Sequence, residues 1–237
     1  MSNKNFDIYF EFNYSSFNIA AFNKSNEKLE HYKEKTYESY FNDLKELNFN
    51  KFEKLIEENV FDLERSTKDF VKDVYLIIET PQSTTLSLSV SKKNEGNELN
   101  KDDIMYLIQD AKQQISKSNQ DFEIIHIIVD NYVLDNVKYE LFPPDKKCDQ
   151  LSIDLKFICF PKNLLKNFEK LFLKQQISIS KFICLNYIKT LNLISNYENI
   201  CELGKYVVNG INKQEVVFVP KNPKRKGFFE KLFHFFN

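Results

Sequence analysis

Three histidines and four cysteines are the side chains best suited to metal ligation or nucleophilic chemistry. His31, His126 and His234 lie far apart, with no cysteine or carboxylate at ligand spacing, so no metal centre is expected. His126 falls in a strand-like run and reads as a satisfied core residue. Cys148, Cys159, Cys184 and Cys201 form no C-x-x-C pair, and three of them sit in apolar runs where a buried, reduced thiol is the ordinary state. There is no G-x-S-x-G nucleophile motif, and no carboxylate pair stands out as an acid–base couple. Phosphate cradles need glycines that let backbone N–H groups approach the ligand. Gly96, Gly204, Gly210 and Gly227 are too scattered to build a P-loop or a dinucleotide fingerprint. The expectation is a chain without enzymatic activity and without a cofactor.

The stretch whose residue types and spacing do carry chemistry comes last. Pro220-Lys-Asn-Pro-Lys-Arg-Lys is a basic, proline-punctuated linker (220–226) that should not pack as regular structure. Residues 227–237 follow as an amphipathic helix. Phe228, Phe229, Leu232, Phe233 and Phe236 share one apolar stripe, while Glu230, Lys231 and His234 lie largely away from it. Lys221, Lys224, Arg225, Lys226 and Lys231 outweigh Glu230, giving the pattern of an interfacial membrane anchor. Each buried aromatic or leucine side chain contributes at most about 1.5–3 kcal/mol, and each basic residue near an anionic leaflet adds about 1 kcal/mol. Ordering so short a helix costs part of this. Reversible binding results, strengthened when several copies share a surface. The same stripe would also suit packing on the protein's own core or on a partner. The basic linker argues for the membrane, since a self-docking helix has no need of that charge.

Composition bounds the rest. A chain of 237 residues can bury a core in one or two domains. Lys+Arg 33 against Asp+Glu 34 leaves a formal charge of -1, so nucleic acid is not an expected partner. No apolar run approaches the roughly 20 residues of a spanning helix. With no secretory leader recognisable at its start, the chain is expected in a reducing cytoplasm.

The elements are expected as follows. Phe6 to Phe22 reads as two strands around a polar turn. Residues 23–48 hold a loop and a strand. Asn50 with Glu53 resembles a capping box, opening a helix whose face is Phe52, Leu55, Ile56, Val60 and Leu63. Val74-Tyr-Leu-Ile-Ile reads as a strand buried on both faces. Ser87-Leu-Ser-Val-Ser alternates as a half-buried strand. Asn100 then caps a helix with Ile104, Leu107, Ile108, Ala111 and Ile115 on one face. Residues 123–134 and 151–157 are strands, and Pro161 opens a helix lined by Leu164, Leu165, Phe168, Leu171 and Phe172. Ile177 to Leu185 is a further strand, and Asn186 to Leu193 a helix.

The runs Leu99-Asn-Lys-Asp-Asp-Ile-Met-Tyr-Leu-Ile-Gln-Asp-Ala-Lys and Ile125-His-Ile-Ile-Val-Asp-Asn-Tyr-Val-Leu-Asp resemble, in order and spacing, the strand-helix-strand-strand insert of the FtsA family. These are bacterial actin-like cell-division proteins. The helix-then-strand order ahead of the insert extends the likeness backwards, and a linker with an amphipathic terminal helix extends it forwards. The resemblance implies an α/β fold, half of an actin-like (ribonuclease H-like) domain. Residues 1–83 and 177–219 would form the actin-like remnant, and 84–176 the inserted α+β subdomain. The family's second half, with its adenosine-side contacts and its FtsZ-binding surface, has no counterpart in the sequence.

In the family, two Asp-x-Gly loops hold the nucleotide phosphates and metal. Aligned on them, Asn13 stands where the first aspartate belongs and Ser15 where its glycine belongs. Asn209 replaces the second aspartate, in a strand–turn–strand over 202–219, and Asn212 takes a glycine position. Asparagine lacks the charge a hard cation requires, and a side chain at the glycine position blocks backbone approach. A plain hairpin at each place, the second turning at Asn209-Gly210, also fits turn chemistry. The resemblance thus implies a non-catalytic adaptor of cell division, peripheral on the cytoplasmic face of the inner membrane. It would bind an anionic membrane surface through its tail, and would meet cell-division proteins or further copies of itself through the insert. Two alternatives are an actin-like ATPase subunit that completes its site with another chain, and a pilus or secretion assembly adaptor.

Overall fold

The computed structural model describes residues 5–36, 49–191 and 199–217. In chain order the elements are β1 (Phe6–Phe12), β2 (Ser16–Asn23), β3 (Leu29–Thr36), α1 (Phe49–Thr67), β4 (Asp73–Ile78), β5 (Thr84–Lys93), α2 (Lys101–Ser118), β6 (Phe122–Leu134), β7 (Val137–Tyr139), β8 (Gln150–Pro161), α3 (Lys162–Lys174), β9 (Ser178–Cys184), α4 (Leu185–Thr190) and α5 (Ile200–Val208). They form two compact units, each with its own sheet. One takes the described residues up to Ser83 and from Phe160 to Asn209. The other takes Thr84–Cys159 and residues 210–217.

The first unit is a five-stranded sheet in the order β3-β2-β1-β4-β9. The pairs β1–β2 and β2–β3 are antiparallel, whereas β1–β4 and β4–β9 are parallel. Helices cover both faces, which makes β1 buried throughout its second half. Successive side chains point to opposite faces. Phe10 and Phe12 meet Phe172 and Phe168 of α3 at ring-centroid distances of 5.1 and 5.3 Å, and Phe12 meets Phe52 of α1 at 5.6 Å. Tyr9, on the other face, packs beneath α5 beside Gly204. This is the expected α/β architecture.

The second unit is a four-stranded sheet, β5-β8-β6-β7. The β6–β7 hairpin turns through Asp135 and Asn136, both at positive φ (46° and 69°), the conformation of a tight two-residue hairpin. Asn100 caps α2, its side chain accepting from the Asp103 N–H, with Asp102 and Asp103 in the first turn where the helix dipole favours them. Ile104, Leu107, Ile108, Ala111 and Ile115 are the buried residues of α2, and they join Leu151, Ile153, Leu155 and Phe157 of β8 in one core. Strand–helix–strand–strand order is present, with the short β7 between β6 and β8.

Three expectations need correction. The inserted unit ends near Cys159, not at 176, because the stripe Leu164, Leu165, Phe168, Leu171 and Phe172 of α3 is buried as part of the first unit. Residues 202–208 are helix, not the first strand of a hairpin. Asn199 caps α5 by accepting from the Glu202 N–H, and Cys201, Gly204, Lys205 and Val207 are buried at helical spacing. Residues 210–217 group with the second unit instead of the actin-like remnant. Val129 donates to Gln214 O at 2.8 Å and Val216 to Ile127 O at 2.8 Å, which lays 214–216 along β6. A smaller difference is that α1 already begins at Phe49, so Asn50 lies inside the helix instead of capping it.

All four cysteines are free and buried. No helix among the described residues is long and apolar enough to cross a membrane. The linker 220–226 and the helix expected over 227–237, with Lys224, Arg225, Lys226, Phe228, Phe229, Lys231, Leu232, Phe233 and Phe236, lie outside the described residues.

Candidate functional site at the β1–β2 turn

The turn joining β1 to β2 sits where the parallel strands β1 and β4 end side by side, Phe12 opposite Ile78. In an α/β sheet, ligands are held beyond such carboxyl ends. Asn13 organises the turn. Its Oδ1 accepts from Ser15 N at 2.9 Å and from Ser16 N at 2.7 Å, and its Nδ2 donates to Glu11 Oε1 at 2.8 Å and to Ser16 Oγ at 2.7 Å. An Asx turn of this kind fixes the loop locally. It also engages the backbone N–H groups that would otherwise be offered to a phosphate.

Glu11 lies behind Asn13 and is 1% exposed. Asn18, its register partner on β2, donates from Nδ2 to Glu11 Oε2 at 2.7 Å. Burial pushes the Glu11 carboxyl up from the ordinary carboxylate range. The hydrogen bonds from Asn18 and Asn13 oppose this, and the nearby Glu34 and Glu79 charges reinforce it. Asn18 Oδ1 is buried without a hydrogen-bond partner among the described residues. A second carboxylate approaches from the end of β4. The Glu79 N–H donates to Phe12 O at 2.8 Å, its Oε2 accepts from Tyr14 N at 3.4 Å, and its Oε1 pairs with Lys189 of α4.

Glu79, paired with Lys189, and the buried Glu11 carboxyl held by Asn13 and Asn18 thus stand at the place where a phosphate would need net positive potential. With Ser15 at the glycine position and Ser15 and Ser16 N–H both turned onto Asn13, the residues present do not fit a nucleotide phosphate. Among the described residues no three His, Cys, Asp or Glu side chains converge as a metal donor set.

The second sequence-derived loop is not a loop of the same kind. Asn209 is the C-cap of α5, its N–H donating to Lys205 O and Val207 O, and Gly210 follows at φ +78°. Glycine just past a helix end is the ordinary way to leave a helix. Asn212 belongs to the other unit, where its Oδ1 accepts from Gln214 N at 3.0 Å. Asn13 and Ser15 are therefore close neighbours, whereas Asn209 and Asn212 form no phosphate-loop turn between two strands.

Sequence reasoning missed Glu11, Asn18, Glu79 and Lys189 as a connected cluster. It also missed the pair formed by His126 of β6 and Glu215, with Nδ1 and Oε1 2.8 Å apart and side-chain exposures of 0% and 1%. An ionised carboxylate can only accept, so Nδ1 supplies the proton when Glu215 is ionised. The pair fastens residues 212–217 to β6, in the same segment as the Ile128–Glu215 bridge.

Compared with known proteins, the chain matches no protein-family model and no curated protein. Among solved structures it is similar to a chain of the PilM-PilN type IV pilus biogenesis complex, at 6% identity and a TM-score of 0.49, covering 80% of this chain and 50% of that one. It is also similar to the cytoplasmic domain of EpsL, an inner membrane component of the type II secretion system of Vibrio cholerae, at 5% identity and a TM-score of 0.38, covering 76% and 57%. A third likeness is to a protein of unknown function with actin-like ATPase fold from Bacteroides thetaiotaomicron, at 13% identity and a TM-score of 0.34, covering 81% and 57%. The chain spans about half the length of the structures it matches.

Proposed function

We propose that this chain is a non-catalytic, FtsA-like adaptor or scaffold of bacterial cell division, held peripherally on the cytoplasmic face of the inner membrane. The observation that carries the non-catalytic part is the Asn13 turn. Its side chain holds the N–H groups of Ser15 and Ser16, and Glu11 and Glu79 stand beside it. A phosphate placed there would lose those hydrogen bonds and meet two carboxylates. In a partly desolvated site, like charges about 4 Å apart cost several kcal/mol at an effective dielectric of ~20. Membrane attachment rests on the basic linker and apolar stripe of residues 221–236. Contacts with division proteins would fall to the unit built on β5, α2, β6 and β8, the part that resembles the family's insert.

Isothermal titration of the full chain with ATP and magnesium tests the non-catalytic reading. No saturable heat is expected at millimolar nucleotide. Binding in the micromolar range that disappears in Ser15→Trp would overturn it.

A further inference from the structure

We infer that the open edge of β5 is a self-association surface, on which β5 of a second copy adds antiparallel to form a continuous sheet across two inserted units. This rests on the contact with further copies of the chain that the sequence led us to expect of the inserted unit, and is independent of the membrane tail. β5 is an outer strand: it pairs with β8, and no described strand lies on its other side. That leaves alternate backbone N–H and C=O groups along ten residues facing outward. Natural edges are usually blunted by proline, by a bulge, by an inward-pointing charge or by shortness. β5 uses almost none of these. Thr84 to Lys93 runs in unbroken register with Cys159 to Gln150, without a shift and without proline.

The pattern of side chains selects the occupant. On the core side, Leu86 and Leu88 pack against the unit's apolar cluster yet stay only partly buried, while Val90 is 7% exposed. On the other side Thr85, Ser87, Ser89 and Ser91 form an exposed row of small hydroxyl residues with no charge. Such a strand complements itself. Centred on Leu88, antiparallel pairing sets Leu88 against Leu88, Leu86 against Val90, Ser87 against Ser89 and Thr85 against Ser91. Lys92 then falls opposite Thr84, so no lysine meets a lysine. Lys92 is moreover held by Asp103 of α2. Apolar residues meet apolar ones, hydroxyls meet hydroxyls, and like charges stay at opposite ends. A one-residue slip would bring serines onto leucines, which excludes the odd registers. Ten strand residues a side fall short of the roughly 20–30 of a standard interface, so the dimer forms at high local concentration, as on a crowded surface.

The test uses the full chain in sedimentation velocity from low micromolar to several hundred micromolar, together with oxidative cross-linking. The wild-type protein is expected to show a concentration-dependent dimer. Leu88→Lys, which sets two ammonium groups together at the two-fold, is expected to remain monomeric with an unchanged circular dichroism spectrum. Leu88→Cys should give a covalent dimer on mild oxidation, while Leu173→Cys, exposed on α3, should not. Should Leu88→Lys lose its fold, the cross-link comparison alone decides. Association that survives Leu88→Lys in a folded protein, or equal cross-linking by the two cysteine variants, would overturn the proposal. Vesicle binding is read separately on the same variants, so loss of the dimer and loss of the membrane reading are distinguishable.

Discussion

Asn13 Oδ1 lies 2.7 Å from the Ser16 amide nitrogen, and the same side chain holds Glu11 through its Nδ2. One asparagine thus closes the turn and partners a buried carboxylate. Asn13→Ala leaves Glu11 with one donor fewer and frees two backbone N–H groups. A loss of about 1–3 kcal/mol is expected from such an unpaired buried group, measured as a shift in the urea midpoint at constant slope. Asn13→Asp places an aspartate at the turn and sets a second carboxylate beside Glu11. The expected outcome is lower stability at neutral pH than at mildly acidic pH, with no gain of ATP binding by titration.

The raised carboxyl of Glu11 gives a pH dependence with a definite sign. Its folded-state value lies above the unfolded one, so between the two the folded protein binds more proton. Glu11 therefore disfavours folding increasingly as pH rises from the ordinary glutamate value through the raised one. Glu11→Gln should remove that slope, and Asn18 can turn its unpartnered Oδ1 towards the new amide. Unfolding midpoints of both proteins between pH 4 and 8 are the measurement. The difference between them should grow in favour of Glu11→Gln with rising pH.

Gly204 lies where α5 crosses the sheet. A Cβ there would stand 2.5 Å from Ile77 Cδ1 and 3.3 Å from its Cγ1, and Ile77 is fully buried. Gly204→Val should cost about 1–3 kcal/mol through overpacking, read in thermal or urea unfolding. Pairing it with Ile77→Ala should recover part of the loss.

His126 and Glu215 are 89 residues apart in sequence and form a buried pair. Truncating one partner of such a pair costs about 3–5 kcal/mol, and replacing both costs much less. His126→Leu and Glu215→Leu, singly and together, form the cycle. A coupling energy above about 1 kcal/mol is expected for groups in direct contact.

Periodicity made much of this fold legible before any coordinates. The buried faces of α2 and α3 are the residues that their three-and-four spacing singles out, because each helix lies on one sheet and exposes its other side. Alternation alone does not reveal Glu11. In Phe10-Glu11-Phe12 it points the carboxylate to solvent, yet helices cover both faces of β1 and leave no solvent side. At 202–208 the expectation of a second phosphate loop outweighed a local signal. Asn199 followed by Glu202 marks a helix start, and Cys201, Gly204 and Val207 recur at helical spacing. Pairs such as His126–Glu215 leave no trace in local pattern, since the topology alone brings them together.

Tail-dependent attachment to an anionic membrane is the central claim, and co-sedimentation with liposomes tests it most directly. The whole chain and one ending at Pro220 are spun with anionic and with neutral vesicles, at low and high salt. The account predicts that only the whole chain pellets, that it prefers anionic lipid, and that salt weakens it as screening shortens the reach of the lysines. Equal behaviour of the two chains, both staying in the supernatant, would contradict it and leave the apolar stripe as a packing or partner helix.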